Sequence, residues 1–319
     1  MADSAGEVRA ACARVAREAS HVTIDDERLV ALARAIPAAG ARGPAVDPDY
    51  FFVGTAEDTT SYVVTFTTVN FGSGWHPHVR KVPGRSGSIT MMTRLTERFR
   101  RSGPLGADEM AAMSAAGAAA LFDQPLDAPV GELMALFARA LGDLGRLLAE
   151  RFDGSAAALV ESSRHSALRL ASTLLEMPMF RDVADYRGST VPLLKRAQIA
   201  ASDLSAALGG RGLGRFDDLD RLTIFADNLV PHVLRVEGVL VYDEALAARI
   251  DAGALVPAGS EEEVEIRACA VDAAERMVAV LRAEGRDVDA VGLDYLLWSS
   301  GQAPRYKRVP RHRTRTWFY

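Results

Sequence analysis

Apolar side chains recur at helical spacing along most of this chain, and this periodicity restricts the fold to a largely helical one. The strongest stripe begins after Pro129 and ends at Gly154, and it consists of Leu133, Leu136, Phe137, Leu141, Leu144, Leu148 and Phe152. A proline at the start and a glycine after the end are typical limits of a helix. Ser260 and Glu263 form a capping-box pattern before a second long stripe. The sequence therefore predicts a mainly α protein.

One region has strand character instead. Residues 61–69 read Ser-Tyr-Val-Val-Thr-Phe-Thr-Thr-Val, and shorter candidates follow at 78–82 and 88–91. β-Branched and aromatic residues are enriched in strands. We therefore predict a small antiparallel β element near residues 61–92.

Length and composition indicate a well-filled core in one compact domain. The chain has 319 residues, of which 49% are hydrophobic and 25% charged. Single cores stop growing at roughly 250–300 residues, so residues 1–319 form a single compact domain or two intimately packed lobes. The lobes would be a mixed α/β part at 1–125 and a helical part at 126–319.

Charge and cysteine usage exclude several classes of protein. The formal net charge of −5 argues against a nucleic-acid coat or a membrane-binding surface, because both require excess positive charge. Cys12 and Cys269 cannot form a disulfide framework, and each lies on an apolar helical stripe. The charged N-terminal turns carry no apolar signal segment, and no apolar run approaches the roughly 20 residues of a spanning helix. We expect a soluble, cytoplasmic protein.

The segment from 191 to 234 contains the most informative charges. A helix is predicted to begin at Lys195 and to end at the glycine-rich turn 209–214, and a second helix to begin at Asp217. The turn follows a helix, so it does not fit a dinucleotide-binding loop, which follows a strand. Two helices joined by such a turn would give a helix-hairpin-helix-type element.

Asp227, on that second predicted helix, is the single charged residue between Leu222 and Val233. A carboxylate in apolar surroundings is costly to bury unless another group pairs with it or a reaction uses it. Lys195 precedes Asp227 by 32 positions and could approach it across the pair of helices. A helix-capping or solvent-facing aspartate with a surface lysine is the alternative, and the residues alone leave both open.

Six ordered blocks of sequence carry a family resemblance. The blocks are Lys-Arg-Ala-Gln-Ile at 195–199, Leu-Thr-Ile-Phe-Ala-Asp at 222–227, Val-Pro-His-Val-Leu at 230–234, Glu-Val-Glu-Ile-Arg at 263–267, Leu-Asp-Tyr-Leu-Leu-Trp at 293–298 and His-Arg-Thr-Arg-Thr-Trp-Phe-Tyr at 312–319. Together they resemble the queuosine salvage proteins, which are queuosine 5′-phosphate N-glycosylases that release the base queuine. The resemblance covers most of the chain and is densest at 195–319. It implies a helical bundle-like glycosylase fold, distantly similar to helix-hairpin-helix DNA glycosylases.

The resemblance implies hydrolysis of the N-glycosidic bond of queuosine 5′-monophosphate. Breaking that bond builds positive charge on the ribose, which a carboxylate close to the anomeric carbon stabilises. Asp227 matches the family position for this role, and Lys195 matches a family lysine expected beside it. Asp294 with Tyr295 matches the block suited to the guanine-like edge of queuine. The candidate substrate-binding residues are Phe225, Asp294, Tyr295, Trp298, Asn70, Phe71, Trp75, Asp203, His232 and Arg313.

The resemblance implies no metal, no organic cofactor and a small-molecule nucleotide as partner; it leaves the oligomeric state open. The pair His76 and His78 lacks a third ligand at metal-site spacing. Arg313, Arg315 or His312 would supply positive charge for the 5′-phosphate. In the family segment that corresponds to residues 70–75 the asparagine, phenylalanine and tryptophan are more closely spaced, and His232 stands where the family has glutamine.

Two other hypotheses stay open at this point. A noncatalytic helix-hairpin-helix module would bind DNA or tRNA, and it would require a continuous basic stripe that this acidic chain does not show. A noncatalytic helical scaffold would leave Asp227 and Lys195 apart and would not explain a lone carboxylate in an apolar segment.

Overall fold

A computed structural model describes residues 4–36 and 46–319. Helices account for most of these residues, as the periodicity predicts. The helices are α1 (Ser4–Glu18), α2 (Asp26–Ala35), α3 (Ala56–Val69), α4 (Gly87–Ser102), α5 (Ala107–Ala111), α6 (Ala115–Phe122), α7 (Val130–Arg151), α8 (Ala156–Ser162), α9 (Ala167–Leu174), α10 (Lys195–Ala207), α11 (Val230–Val236), α12 (Glu244–Asp251), α13 (Glu261–Ala283), α14 (Ala290–Ser300) and α15 (Pro304–Lys307). The strands are β1 (Val22–Ile24), β2 (Val183–Tyr186), β3 (Ser189–Pro192) and β4 (Leu240–Tyr242).

The chain divides into two compact units that interleave along the sequence. Of the described residues, unit 1 comprises those within 1–43, 182–198 and 219–315, and unit 2 comprises those within 44–181, 199–218 and 316–319. The domain organisation stated above, a single domain or two lobes, stays a prediction.

Unit 1 is built around the long helix α13. Helices α1, α2 and α14 pack against α13. Cys12 on α1 and Cys269 on α13 are both fully buried, and burial raises the pKa of each thiol. Two small antiparallel sheets lie in this unit. One pairs Val22 of β1 with Tyr242 of β4, and the other pairs Val183 of β2 with Pro192 of β3.

Glu265 of α13 is a fully buried carboxylate that organises the segment leading into β1. Its oxygens accept hydrogen bonds from the backbone N–H groups of Ser20 at 3.1 Å, His21 at 2.6 Å and Val22 at 3.0 Å. The hydroxyl of Tyr186 in β2 donates a further bond of 2.8 Å. An ionised carboxylate is stable in a protein interior when donors surround it in this way. One side chain thus links α13, β1 and β2.

Unit 2 is built around α7, the helix that the strongest apolar stripe predicts. Helices α3, α5 and α6 pack on it. A side chain at Gly145 would overlap the backbone of Ala107 and Ala111, so glycine permits the close approach of α5. The carbonyl of Tyr319 accepts a hydrogen bond of 2.9 Å from the N–H of Gly72, and Tyr319 is buried. The aromatic end of the chain therefore docks against unit 2.

The predicted β element near residues 61–92 is wrong, because residues 61–69 lie in α3, residues 88–91 lie in α4, and residues 78–82 form irregular structure between them. Thr55 caps α3 by accepting from the N–H of Asp58 at 3.1 Å, a standard helix start. Nearly all residues from 59 to 69 are buried, so no polar face reveals the helical period. The hydroxyls of Thr60 and Thr68 donate to the carbonyls four residues earlier, which satisfies them inside a helix.

The predicted helix from Asp217 through Asp227 is also wrong. A single 3₁₀ turn occupies Leu219–Arg221, and the chain is irregular from there to the start of α11. Helix α10 does end before the glycine turn, but no second helix pairs with it there. The helix-hairpin-helix element is therefore not confirmed.

Within the described ranges, no helix combines the length and the apolar character that crossing a membrane requires.

Replacing Glu265 with Gln should lower the free energy of unfolding by about 2–4 kcal/mol, because an amide NH₂ would then face backbone donors in a buried site. Urea unfolding followed by circular dichroism measures this change.

Glu261→Gln is the matched control, since Glu261 lies one turn earlier on α13 and pairs with Arg187 at the surface. Such exposed pairs contribute roughly 0–1 kcal/mol. Equal effects of the two substitutions would contradict the structural role assigned to Glu265.

Candidate active site

Asp227 lies in the irregular segment that leads into α11, and its side chain is half-buried. Its Oδ1 accepts hydrogen bonds from the N–H groups of Leu229 at 2.6 Å and Val230 at 3.2 Å. One oxygen thus binds the backbone at the start of α11, although the N-cap residue of this helix is Leu229. In the part of the chain that the structure describes, no hydrogen bond reaches Oδ2. The carboxylate is thus fixed at one oxygen and available at the other.

Lys195 is the first residue of α10 and is buried, with 4% of its surface exposed. Its backbone N–H donates to Oδ2 of Asp182 at 3.1 Å. Asp182 therefore caps the helix that carries Lys195, and it places a negative charge where the helix dipole favours one.

A buried guanidinium connects this helix start to the segment of Asp227. Arg267 of α13 donates to both carboxylate oxygens of Asp182, at 2.9 and 2.6 Å. It also donates from Nε to the carbonyl of Ala226 at 3.0 Å. The side chains of Arg267 and Asp182 are 1% and 3% exposed. Because Ala226 directly precedes Asp227, the backbones at Lys195 and Asp227 are anchored to one buried ion pair.

A second contact joins the same two segments. The side-chain amide of Gln198, in the first turn of α10, donates to the hydroxyl of Thr223 at 3.0 Å and accepts from the N–H of Thr223 at 3.0 Å. Arg196, also in this turn, is fully buried, and burial lowers its pKa to about 9 while nearby Asp182 opposes that shift. The start of α10 is thus a buried, polar and tightly connected region.

The candidate base-binding residues of unit 1 lie on two segments that meet. Oδ1 of Asp294 in α14 accepts a hydrogen bond of 2.8 Å from the N–H of Phe225. Both residues are buried, whereas Tyr295 and Trp298 are half-buried. Phe225 and Asp294 therefore lie in contact. Phe225 precedes Asp227 by two residues along the chain.

His232 and Arg313 each contact a backbone carbonyl. Nε2 of buried His232 lies 2.9 Å from the carbonyl oxygen of Tyr306, and burial lowers the pKa of this imidazole. Arg313 donates to the carbonyl of Gly253 at 2.8 Å. Their roles in binding substrate stay predictions.

The remaining candidates belong to unit 2. Trp75 is buried and donates from Nε1 to Glu132 at 3.2 Å. Phe71 packs edge-on against Phe137, with ring centroids 5.0 Å apart. Asn70 ends α3 as its C-cap residue, and Asp203 is half-buried on α10. Their substrate-binding roles likewise stay predictions.

One group of possible metal ligands occurs among residues 4–36 and 46–319. The ligand atoms of His21, Glu261 and Glu265 lie within 4.8 Å of one another. Glu265 already accepts from three backbone N–H groups and Tyr186, and Arg187 pairs with Glu261. The two carboxylates of this group are thus already engaged by contacts within the protein, and these contacts have a structural role.

Sequence reasoning assigned no role to Arg267 or Asp182. A signal for Arg267 was present, because it lies on the apolar side of α13 between Ile266 and Cys269. A charged residue at such a position needs a buried partner. That the partner is Asp182, 85 positions away, is not readable from local spacing.

Comparison with known proteins identifies related sequences. The family model described as "Queuosine salvage protein" matches residues 52–319 of this chain. A protein of Sphaerobacter thermophilus named "Queuosine 5'-phosphate N-glycosylase/hydrolase" is 36% identical over 311 residues, which is 96% of this chain and 95% of that protein. This match spans both units.

Proteins with the same name in eukaryotes match over a shorter length. The protein of Dictyostelium discoideum is 39% identical over 182 residues, 57% of this chain and 57% of that protein. The protein of Mus musculus is 36% identical over 191 residues, 57% of this chain and 56% of its own length.

The acid stability of the protein should depend on His312, which is fully buried within unit 1. Burial, followed by the nearby charges of Arg267 and Arg311, lowers its pKa from 6.5 to about 3. Between these values the unfolded chain binds a proton that the folded chain does not, so the unfolded state gains stability as pH falls. We expect this group to reduce the free energy of unfolding by up to about 1.4 kcal/mol per pH unit below about 6.5.

Urea unfolding of the wild type and of His312→Gln between pH 4.5 and 7.5 measures this contribution, and the variant should show the shallower dependence. His78→Gln is the control, because His78 is exposed. Equal slopes for the wild type and His312→Gln would contradict a neutral buried imidazole.

Proposed function

The chain belongs to the queuosine salvage protein family, and we propose on that basis that it hydrolyses the N-glycosidic bond of queuosine 5′-monophosphate. The protein is an N-glycosylase that releases queuine for salvage. Water adds its hydroxyl to the anomeric carbon and its proton to the departing base, so the other product is ribose 5-phosphate. The substrate is a small-molecule nucleotide.

The hydrogen-bond geometry of Asp227 is the main observation that supports its assignment as the catalytic carboxylate. The bond breaks with positive charge developing on the ribose, which a fixed anionic oxygen stabilises. Oδ1 is held by the N–H groups of Leu229 and Val230, so the carboxylate cannot rotate freely. Oδ2 is left for the sugar or for the attacking water. Preorganisation of this kind supports Asp227 as the catalytic carboxylate.

Lys195 is the second catalytic residue that we propose. It is buried, and its backbone shares the Arg267–Asp182 anchor with the residue before Asp227. A buried ammonium in this region stabilises a nearby carboxylate and a bound ribose by charge. The shared anchor supports a role beside Asp227, because it holds both segments in one place.

Recognition of the base is assigned to the Phe225–Asp294 contact and to the aromatic side chains next to it. The guanine-like edge of queuine presents N–H donors, which a carboxylate accepts. Tyr295 and Trp298 are half-buried on α14 beside Asp294, which leaves part of each ring accessible for stacking. Arg313 remains a candidate for the phosphate.

Asp227→Asn should lower kcat for base release by about 1,000-fold or more, because the developing cation loses its counter-charge. Folding and binding should be preserved, since the amide oxygen can still accept from Leu229 and Val230. Chromatography of liberated queuine from purified protein and queuosine 5′-monophosphate measures the rate.

Asp220→Asn serves as the matched control for this substitution. Asp220 precedes the same irregular segment and is exposed, so its loss should leave turnover unchanged. Normal turnover by Asp227→Asn would disprove the assignment of Asp227.

Lys195→Met keeps the length of the side chain and removes its charge, and it should lower kcat/KM by about 100-fold if the ammonium acts at the ribose. The measurement is the same release assay, with thermal unfolding to verify folding. Lys81→Met is the control, because Lys81 is exposed in unit 2. A rate unchanged in Lys195→Met would remove this residue from the site.

A further inference from the structure

Three arginines occupy alternate positions near the end of unit 1. His312 and Thr314 are buried, whereas Arg311, Arg313 and Arg315 are half-buried. Alternation of this kind is typical of an extended segment, in which successive side chains point to opposite faces. The three guanidinium groups therefore share one face, and their other contacts distinguish them.

The backbone on the two sides of Arg311 is held by α11 and by the residue that follows Asp227. The carbonyl of Pro310 accepts from Arg235 of α11 at 3.2 Å, and the carbonyl of His312 accepts from the side chain of Asn228 at 3.5 Å. Asn228 is the residue after Asp227. These contacts place Arg311 next to the proposed catalytic carboxylate.

Arg311 differs from its neighbour Arg313 in its partners. Arg313 donates to the carbonyl of Gly253. No group in residues 4–36 or 46–319 forms a hydrogen bond or ion pair with the guanidinium of Arg311. Burial lowers the pKa of Arg311, and the carboxylate of Asp227 opposes that shift. Arg311 is a half-buried cation without a hydrogen-bonded acceptor, and an anionic ligand would supply one.

We propose that Arg311 binds the 5′-phosphate of the substrate, on the condition that the chain is the nucleotide hydrolase described above. The 5′-phosphate and the anomeric carbon belong to the same ribose. The cation that binds the phosphate must therefore lie near the carboxylate that faces the anomeric carbon. Arg311 meets that requirement because the carbonyl of the next residue, His312, accepts a hydrogen bond from Asn228. A planar guanidinium binds two phosphate oxygens at once, which makes Arg311 a specificity residue for nucleotide over nucleoside.

Binding is measured in the Asp227→Asn background, where base release is blocked and the charge of Asp227 no longer acts on Arg311. Calorimetry gives Kd for queuosine 5′-monophosphate and for queuosine, with and without Arg311→Gln. We expect Arg311→Gln to weaken binding of the nucleotide by about 100-fold and binding of the nucleoside by less than about threefold. Arg311→Lys keeps the charge but loses the bidentate contact. Its Kd for the nucleotide should therefore lie between the value with Arg311 intact and the value for Arg311→Gln.

Arg308→Gln is the matched control, because Arg308 lies three positions earlier and is exposed. An unchanged preference for the nucleotide in Arg311→Gln would overturn the proposal, and so would an equal loss of affinity for nucleotide and nucleoside. The proposal would also be overturned if Arg313→Gln, and not Arg311→Gln, abolished the preference. Turnover by the wild type separates this outcome from failure of the function itself. A wild type that releases no queuine disproves the hydrolase, whereas release with an unaltered preference in Arg311→Gln disproves only the phosphate site.

Discussion

The buried ion pair between Arg267 and Asp182 is the interaction on which the candidate site depends. Both side chains are almost fully excluded from solvent, so each charge would be strongly destabilising alone. Their bidentate geometry offsets that penalty, and the remaining Nε–H of Arg267 is used by the carbonyl of Ala226. The pair thereby fixes two stretches of chain that are far apart in sequence. Removing Asp182 would release the start of α10 from this contact, and removing Arg267 would release the carbonyl of Ala226 and leave the carboxylate of Asp182 without its cation.

The irregular backbone around Asp227 has a chemical advantage over the helix that was expected there. In the middle of a helix the backbone N–H groups are used by carbonyls four residues earlier. Immediately before α11 they are free, and Leu229 and Val230 donate theirs to Asp227. The same N–H groups that complete the helix start also orient the carboxylate. The start of α11 and the proposed catalytic carboxylate thus share one short segment.

Local pattern predicts the regular parts of this molecule well. The stripe of α7 and the cap at Ser260 of α13 both follow from it. Helix α3 was misread because it is buried on nearly all sides, so composition favoured a strand, although Thr55 gave a valid cap signal. Contacts such as Arg267–Asp182 are set by tertiary packing, which spacing along the chain does not encode. The family resemblance indicated Asp227 and Asp294, and the structure supplied the contacts that orient them.

The interleaved arrangement of the two units has a consequence for biosynthesis. A ribosome delivers the N-terminal residues first, and many proteins fold domain by domain as they emerge. Here unit 1 needs residues up to 315 and unit 2 needs residues 316–319. Neither unit can reach its final packing on the ribosome until nearly all of this sequence has been translated. The apolar face of α1 must therefore stay uncovered, and accessible to chaperones, until α13 has been translated.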